Sequence, residues 1–345
     1  MSMEELLTFS VKSKASDLHL SSGVSPLIRV DGDLRKINLP VLDSKAVSRL
    51  LYEIMTVDQQ KKFEQALEID FSYELAAIGR FRINAFHQRS GPAAVFRTIP
   101  EIVPLFEDLG LPPVLNDISN KPNGLILVTG PTGSGKSTTL SAMIGSINRT
   151  RYEHILTIED PIEFVHTSDK CLINQREVGR DTANFSQALR SALREDPDII
   201  LVGEMRDIET IHLALTAAET GHLVFATLHT NSAAKTINRI IDAFPFGEKE
   251  MVRSMLSDSL QAVISQNLVK RLTGGRIAAT EIMLCTPAIR NLIREDKVAQ
   301  IYSAIQTGQN MGMQTMDMHL RELMAANLIS KISAQNYAFN KESFK

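Results

Sequence analysis

The sequence contains no tryptophan and only two cysteines among its 345 residues. Cys171 and Cys285 are far apart and form no C-x-x-C pair, so their spacing indicates neither a zinc site nor a disulfide framework. Isolated cysteines of this kind are typical of reduced thiols in a cytosolic protein. No apolar run approaches the roughly 20 residues that a helix needs to span a bilayer. We therefore expect a cytoplasmic protein without direct membrane insertion.

An excess of positive charge is also missing. Lys and Arg total 37 against 40 Asp and Glu, which gives a net charge of -3. Nucleic-acid binding usually depends on a clustered basic surface, so we expect no nucleic-acid partner. Residues 1–5 are acidic and lack the basic region of a signal peptide, and we expect none. The hydrophobic content of 43% is that of a globular protein, and a chain of this length predicts two domains.

Residues 130–138 read GPTGSGKST and contain the pattern G-x-x-x-x-G-K-S of a phosphate-binding loop. The pattern follows an apolar run and precedes a helix-forming run, which is the strand–loop–helix context that such loops require. Glycines let successive backbone N–H groups turn toward a polyphosphate, and the helix N-terminus favours the same anion. The predicted nucleotide-binding residues of this phosphate loop are Gly130, Pro131, Thr132, Gly133, Ser134, Gly135, Lys136, Ser137 and Thr138.

Three side chains near this loop have predicted roles in binding a nucleoside triphosphate and Mg²⁺. Lys136 is predicted to reach the β- and γ-phosphates, and the hydroxyl of Ser137 to bind Mg²⁺. Glu204 follows an apolar strand and is predicted to hold the same ion through its water shell, because Mg²⁺ prefers oxygen ligands and keeps several waters. The alternative for Glu204 is a solvated side chain at the start of a loop.

The order of patterns predicts an α/β fold. Residues 1–99 combine a hairpin with a D-G turn at 27–35, a helical stretch and period-two strands, which are typical of a small domain with an antiparallel meander. The proline-rich segment 100–113 is predicted to be a linker. In 114–345, strands alternate with helices as in a mainly parallel sheet, and the part after Ala233 is expected to be largely helical. The four predicted strands span 125–129, 155–158, 199–202 and 223–228.

Polar residues follow each of these four strands, at the edge where open α/β sheets bind ligands. Glu159, Asp160 and Glu163 come after the second strand, and one of them is expected to be the base for hydrolysis. An acidic first turn of a helix is the alternative. His229 follows the fourth strand and is predicted to sense the γ-phosphate. His222 precedes that strand, about 20 Å away, and a structural or interface role is expected for it.

Basic side chains in the first domain are candidates for neutralising the charge that develops in phosphoryl transfer. Arg80 and Arg82 share one face of a predicted strand, and Arg97 lies in the next one. If the linker folds this domain over the nucleotide, these arginines become candidates for arginine fingers, which stabilise the charge of the transition state. A solvated basic face is the alternative.

Four motifs in order carry a family resemblance: the phosphate loop, TIEDPIEF at 157–164, the Glu204 strand and GHLVFATLHT at 221–230. With them the chain resembles the secretion ATPase superfamily, whose Walker A, Asp box, atypical Walker B and His box they match. The resemblance extends over nearly the whole chain, including SDLHL at 16–20. Within the superfamily the chain is similar to the retraction ATPases of type IV pili, because AIRNLIRE at 288–295 matches their C-terminal motif. Assembly ATPases carry an extra N-terminal region and a four-cysteine zinc motif, and the sequence shows neither.

The resemblance implies a homohexameric ring of subunits with a PAS-like N-terminal domain and a RecA-like ATPase domain, with ATP in the cleft between them. It implies that hydrolysis to ADP and phosphate drives pilus retraction and twitching motility by pilin disassembly. The implied partner is the inner-membrane platform protein at the pilus base, with pilin affected only indirectly. It also favours Glu163 as the base. The predicted catalytic residues are Lys136, Glu163, Glu204, His229, Arg82 and Arg97.

Several alternatives remain open or are disfavoured. The nearest is an accessory retraction paralogue, followed by a pilus assembly or type II secretion ATPase. A small GTPase is disfavoured because the Asn120-Lys121 pair precedes the loop and lacks the expected Asp. A helicase or recombinase shares the core, but no basic strand channel is indicated. The set of Lys136, Glu163 and Glu204 argues against a scaffold that binds nucleotide without hydrolysing it.

The retraction motif at 288–295 reads by itself as an amphipathic helix. Ile289, Leu292 and Ile293 form its apolar stripe. Arg290, Arg294 and Glu295 are expected to point away from that stripe. We expect the exposed part of this helix to couple the ATPase to the retraction machinery.

Overall fold

A computed structural model describes residues 2–76, 78–99 and 103–344. The chain divides into two compact units, Met1–Ile102 and Val103–Lys345. Part of the segment expected to be a linker belongs to the second unit. Its helix Phe106–Leu109 and the buried Leu111 pack in that unit's core. The domain boundaries given above stay predictions.

Among residues 2–76 and 78–99, six strands form an antiparallel sheet in the order β3-β2-β1-β6-β5-β4. Side chains such as Leu18, Phe81 and Phe96 point from one face of this sheet into a buried core. Asp31 and Gly32, both with positive φ, form the predicted hairpin turn. The elements are α1 (Met3–Lys12), β1 (Asp17–Ser21), β2 (Leu27–Val30), β3 (Asp33–Lys36), α2 (Ser44–Tyr52), α3 (Val57–Ala66), β4 (Glu68–Leu75), β5 (Gly79–Gln88) and β6 (Gly91–Ile99).

In residues 103–344, seven strands form a mainly parallel sheet in the order β13-β12-β7-β11-β10-β8-β9. The four predicted strands are confirmed and form the centre of this sheet. They are short, apolar and parallel to one another. Leu125 and Leu127 pack into the core on one face, and Ile126 and Val128 into the core on the other. The strands are β7 (Gly124–Thr129), β8 (His154–Glu159), β9 (Leu172–Glu177), β10 (Ile199–Val202), β11 (Leu223–Leu228), β12 (Leu260–Lys270) and β13 (Arg276–Leu284).

The expectation of a largely helical region after Ala233 was wrong for residues 260–284. Strand β12 extends the sheet parallel to β7, and β13 returns antiparallel to it. Both strands are buried over most of their length. An apolar run that is buried on two faces shows no period-two alternation, so it cannot be told from a buried helix by periodicity alone.

Helices cover both faces of this sheet and form the C-terminal region. Their bounds are α4 (Phe106–Leu109), α5 (Val114–Ser119), α6 (Lys136–Thr150), α7 (Phe185–Ala192), α8 (Ile208–Glu219), α9 (Ala233–Asp242), α10 (Lys249–Ser259), α11 (Pro287–Arg294), α12 (Ile301–Thr307), α13 (Met316–Ala325) and α14 (Lys331–Tyr337). Short 3₁₀ turns span Phe246–Glu248, Val298–Gln300, Gln309–Met311 and Lys341–Phe344. None of the helices in the described ranges combines the length and apolar character that crossing a membrane requires.

Candidate active site

The phosphate loop leaves the end of β7 and runs into α6, as the sequence predicts. Gly130, Gly133 and Gly135 have φ values of 143°, 77° and 88°, which side-chain-bearing residues rarely adopt. Space is limiting as well. A Cβ atom on Gly130 would lie 2.2 Å from the backbone oxygen of Gln266, and one on Gly135 would lie 2.8 Å from its Nε2 atom. The loop therefore needs glycine at its first and sixth positions.

Lys136 begins α6 and turns back across the loop. Its Nζ atom donates to the carbonyl oxygens of Gly130 at 2.8 Å and Pro131 at 3.1 Å. Burial lowers the pKa of Lys136, while the negative charges of Glu204 and Glu163 raise it. The two carboxylates act on this ammonium group from different strand ends. The structure thus brings together Lys136, Glu163 and Glu204.

Glu204 lies one residue beyond Gly203 at the end of β10, and the side chains of His229 and Arg206 contact its carboxylate. Its Oε1 atom is 3.0 Å from Nε2 of His229, and its Oε2 atom is 2.7 Å from Nη2 of Arg206. Burial alone would raise the pKa of Glu204, but the hydrogen bond from Arg206 and the charges of His229 and Arg206 lower it. Glu204 is therefore held as a carboxylate at the loop edge. The hydroxyl of Thr227 donates to the carbonyl of Gly203 and fixes this segment to β11.

The two histidines that flank β11 have different surroundings. His229, at the carboxyl end, meets Glu204 as described. His222, at the opposite end, has its Nδ1 atom 2.9 Å from the carbonyl oxygen of Ala217 and 3.3 Å from the hydroxyl of Thr220. These contacts lie at the C-terminal end of α8. They tie His222 to the end of α8. The structural or interface role expected for His222 stays a prediction, as does contact of His229 with the γ-phosphate.

Glu159, the last residue of β8, holds the irregular segment that follows it. Its Oε1 atom accepts from the hydroxyl of Thr157 at 2.7 Å and from Nε2 of Gln175 at 3.2 Å, and the backbone N–H of Glu163 also donates to it. Burial raises the pKa of Glu159 to about 7, although these three hydrogen bonds oppose the shift. Within the described part of the chain, the carboxylate of Glu163 has no hydrogen bond or ion pair. Of these two acids, Glu163 is the one whose carboxylate is not already bonded.

The segment 160–166, called here the acid loop, is bound by two side chains of β9. Gln175 donates to the carbonyl of Phe164 at 2.9 Å and accepts from the N–H of His166 at 2.8 Å. Glu177 accepts from the N–H of Ile162 at 3.2 Å. Neither residue is predicted from the sequence, because a polar edge strand carries no signal that distinguishes it from a loop.

Strand β12 holds the phosphate loop in a similar way. The hydroxyl oxygens of Ser265 and Thr129 are 2.8 Å apart. Gln266 donates to the carbonyl of Ser134 at 2.7 Å and accepts from the hydroxyl of Thr139 at 2.8 Å. Neither β12 residue was found from the sequence, since the strand itself was not predicted.

A cavity of about 40 Å³ lies beside Ser137. That volume is enough for about two or three waters, given the polar groups that surround it. The hydroxyl of Ser141 is 3.4 Å from Nε2 of His166, and burial lowers the pKa of this histidine to about 4, so the ring is neutral at neutral pH. The residues that line the cavity are Ser137, Leu140, Ser141, Thr157, Glu159, Phe164, His166, Leu201, Gly203 and Thr227.

In the first unit, the arginines lie around a buried carboxylate. Asp17 is 5% exposed, and its carboxylate is 3.0 Å from Nε of Arg97 and 3.8 Å from Nε of Arg29. The strand register places Arg82 directly opposite Arg97. Arg97 thus has a partner in its own unit. The predicted role of Arg82 and Arg97 at the phosphates stays a prediction.

Helix α11 has the predicted apolar stripe. Ile289 and Ile293 are fully buried, and Leu292 packs partly buried against the same core. Arg290 was expected to lie on the exposed face of this helix, but it is only partly exposed. Its Nη1 atom donates to the carbonyls of Ser257 and Asp258, which are among the terminal carbonyl groups that α10 leaves without helical partners.

Arg294, by contrast, matches the expectation of an exposed position. Half of its side chain is exposed, and its Nη2 atom is 3.1 Å from the carboxylate of Asp258, whose side chain is also more than half exposed. An ion pair with this exposure contributes little to stability.

Comparison with known proteins decides the family. The model of the type II/IV secretion system protein family matches residues 2–274. The chain belongs to this family. It is 66% identical over 344 residues to the type IV pilus retraction ATPase PilT of Pseudomonas aeruginosa, covering 100% of both chains. It is 61% identical over 320 residues to a twitching motility protein of Neisseria gonorrhoeae, covering 92% of this chain and 86% of that one.

A solved structure in the same family has the same fold. The pilus retraction motor PilT with bound ADP superimposes with a TM-score of 0.89 at 46% identity, covering 99% of this chain and 98% of that one. These matches confirm the resemblance, the α/β fold class and the predicted ATPase activity. The family member described here is therefore an ATPase that binds a nucleotide. The residue roles and the requirement for Mg²⁺ stay predictions.

The raised pKa of Glu159 predicts a pH-dependent contribution to stability. A carboxyl group whose folded-state pKa is about 7, against an ordinary 4.5, binds its proton more tightly in the folded chain than in the unfolded one. Its contribution is complete below about pH 4.5 and is lost as the pH rises through about 7. We expect the melting temperature of wild type to fall relative to that of Glu159→Gln over this range. A difference between the two melting curves that stays constant with pH would contradict the assignment.

Proposed function

We propose that this chain is an ATP-driven motor that retracts type IV pili by disassembling pilin from the fibre base. The observation that carries the proposal is whole-length similarity to a retraction ATPase, together with one connected site at the carboxyl ends of β7, β8, β10 and β11. The motor is a homohexameric ring of subunits with a PAS-like and a RecA-like domain. It works in the cytoplasm, at the inner-membrane pilus base. There it docks on the platform protein and acts on pilin indirectly, without nucleic acid.

Binding of ATP is the task of the phosphate loop. Backbone N–H groups of residues 130–138 donate to the polyphosphate, aided by the N-terminal end of α6. Lys136 exchanges its two carbonyl contacts for oxygens of the β- and γ-phosphates. The exchange needs little movement, because the ammonium group already lies across the loop.

The side chains near the loop suit Mg²⁺. The hydroxyl of Ser137 and the carboxylate of Glu204 are oxygen donors, and Glu204 keeps lone pairs for water while bonded to His229 and Arg206. When bound, the ion supplies positive charge that neutralises the phosphate oxygens. Ser137 would contact it directly and Glu204 through water.

Hydrolysis needs a base, and we assign that role to Glu163. Its carboxylate takes a proton from the attacking water, whose oxygen bonds to the γ-phosphorus. The bond from the γ-phosphorus to the bridging oxygen breaks, which leaves ADP and phosphate. Glu159 is less suitable, because its carboxylate already accepts three hydrogen bonds, one of them from the N–H of Glu163 in the acid loop. His229 is proposed to sense the γ-phosphate, and Arg82 and Arg97 to neutralise the charge that develops on the reacting phosphates.

Complementation tests the proposed function. In cells with type IV pili but no retraction ATPase, wild-type chain is expected to restore twitching and pilus shortening, and Lys136→Ala to restore neither. An accessory paralogue would restore retraction only when a second retraction ATPase is also present. No effect of the wild-type chain in either background would contradict the proposal.

Helix α11 offers a second test, aimed at the coupling role. Because its ion pair is exposed, Arg294→Ala is expected to shift stability by only about 0.5 kcal/mol and to keep most ATPase activity. We nevertheless expect pili to remain unretracted in cells that carry it, scored by twitching and by pilus imaging. Arg290→Ala is unsuitable for this test, because it removes a hydrogen-bond partner from the end of α10.

A matched control exists on the same pair of helices. Arg253 of α10 forms an ion pair with Asp296, just beyond α11, at 2.8 Å. Arg253→Ala also breaks an ion pair of α10 but leaves the surface of α11 intact, so cells that carry it should retract their pili normally. Normal twitching with Arg294→Ala would contradict the coupling role and leave α11 a structural helix. Equal loss of twitching in Arg294→Ala and Arg253→Ala would do the same.

A further inference from the structure

Gln266 is a polar side chain in the interior of the second unit, only 2% exposed. In the register of β12 against β7, Ser265 pairs with Thr129, the last residue before the phosphate loop. Gln266 therefore lies beside the first residue of that loop. A buried amide costs free energy unless its polar atoms are bonded, so its partners indicate why it is there.

Both ends of this amide are bonded, and to different parts of the nucleotide-binding element. The NH₂ group donates to the carbonyl of Ser134 within the phosphate loop at 2.7 Å. The oxygen accepts from the hydroxyl of Thr139 in the first turn of α6 at 2.8 Å. Because the carbonyl of Ser134 can only accept, the NH₂ group must face the loop, and the amide oxygen therefore faces the hydroxyl of Thr139. One side chain thus ties the loop to its helix.

The backbone and side chain of Gln266 also fill the space against both ends of the loop. The backbone oxygen lies 2.2 Å from the position that a Cβ atom on Gly130 would take, and the Nε2 atom lies 2.8 Å from the corresponding position on Gly135. The two glycines can therefore approach Gln266 more closely than any other residue could. The loop packs on this residue at its start, at its end and at Ser134 between them.

We infer that Gln266 is a positioning residue that holds the phosphate loop in its anion-binding curvature before the nucleotide arrives. It acts through Ser134 and not by touching the nucleotide. If the loop is already ordered, ordering its backbone N–H groups costs less free energy when the nucleotide binds. The inference rests on the nucleotide site proposed above. It adds Gln266 to that site, from strand β12, which lies outside the four family motifs.

Gln266→Met tests the inference, because methionine has a similar length and removes both hydrogen bonds. We expect the Kd for ADP to rise about tenfold or more, and the KM for ATP to rise with it, while kcat at saturating ATP stays within about threefold. Titration calorimetry with ADP and steady-state ATPase assays measure these constants. A residue that only supported the fold would lower the melting temperature without this selective rise in Kd and KM.

Two further variants provide the controls. Gln261→Met makes the same change on the same strand, but beside Gly124 at the other end of β7, and is expected to leave the Kd within about twofold. Thr139→Val removes the hydroxyl that orients the amide. Alone, it should raise the Kd for ADP by less than Gln266→Met does. Combined with Gln266→Met it should raise the Kd little further, since the effects of two residues that act through one contact are not additive.

The outcomes separate the inference from the site on which it rests. Wild-type ADP affinity in Gln266→Met, with binding lost in Lys136→Ala, would overturn the positioning role and leave the nucleotide site in place. Equal losses in Gln266→Met and Gln261→Met would also overturn it, because general damage to β12 would explain both. Wild-type ADP affinity in both Gln266→Met and Lys136→Ala would contradict the proposed nucleotide site itself.

Discussion

Lys136→Ala is expected to abolish detectable ATP hydrolysis and to weaken ATP binding by about a hundredfold or more. The variant removes the ammonium group that lies across the phosphate loop, bonded to the carbonyls of Gly130 and Pro131. Without it, the loop offers only backbone N–H groups to the β- and γ-phosphates. Phosphate-release assays and titration with ATP measure the two effects.

Lys121→Ala is the control for this variant. Lys121 is an exposed residue before β7, outside the proposed site, so its loss should change neither binding nor turnover. Turnover by Lys136→Ala at the wild-type rate would show that the phosphate loop is not where ATP is hydrolysed.

Glu163→Gln should separate binding from chemistry. The amide keeps the size of the side chain but cannot take a proton from water, so kcat should fall by about 10²-fold or more while ATP still binds. The Kd for ATP should stay within about threefold of wild type, because the phosphate loop and Lys136 are unchanged. Single-turnover kinetics and titration with ATP give the two values.

Glu159→Gln is the matched comparison for the base assignment. Its amide oxygen can still accept from Thr157 and Gln175. Gln175 and Glu177 also bind the acid loop directly, so the loop should stay in place and kcat should fall much less. A large loss with Glu159→Gln and a small one with Glu163→Gln would make Glu159 the base. Collapse of ATP binding in Glu163→Gln would make Glu163 a binding or folding residue instead.

The sequence was sufficient to find the parts of the site that are local in the chain. The phosphate loop, β7, β8, β10 and β11 each combine a short apolar run with polar residues at its end. Those are the signals that strand and turn preferences produce. Because parallel strands end at the same edge of a sheet, the sequence could also predict that three side chains lie near each other: Lys136, Glu163 and Glu204.

The contacts that hold the site in place could not be found in this way. Gln175 and Gln266 come from strands that were not predicted, one polar at the sheet edge and one buried on two faces. Their partners are distant in the chain, and nothing in the residue pattern near Gln266 points to Ser134. The contact of Arg290 with the end of α10 was missed for the same reason, since helical periodicity indicates which face is apolar but not what a polar side chain reaches.

The most direct test of the nucleotide site is a crystal structure of this chain with a non-hydrolysable ATP analogue and Mn²⁺ in place of Mg²⁺. We expect the polyphosphate within residues 130–138, with Lys136 on the β- and γ-phosphates. The anomalous signal of the ion should lie beside the hydroxyl of Ser137, and a water should link it to Glu204. Polyphosphate density away from this loop, or an ion with no contact to Ser137 or Glu204, would contradict the site.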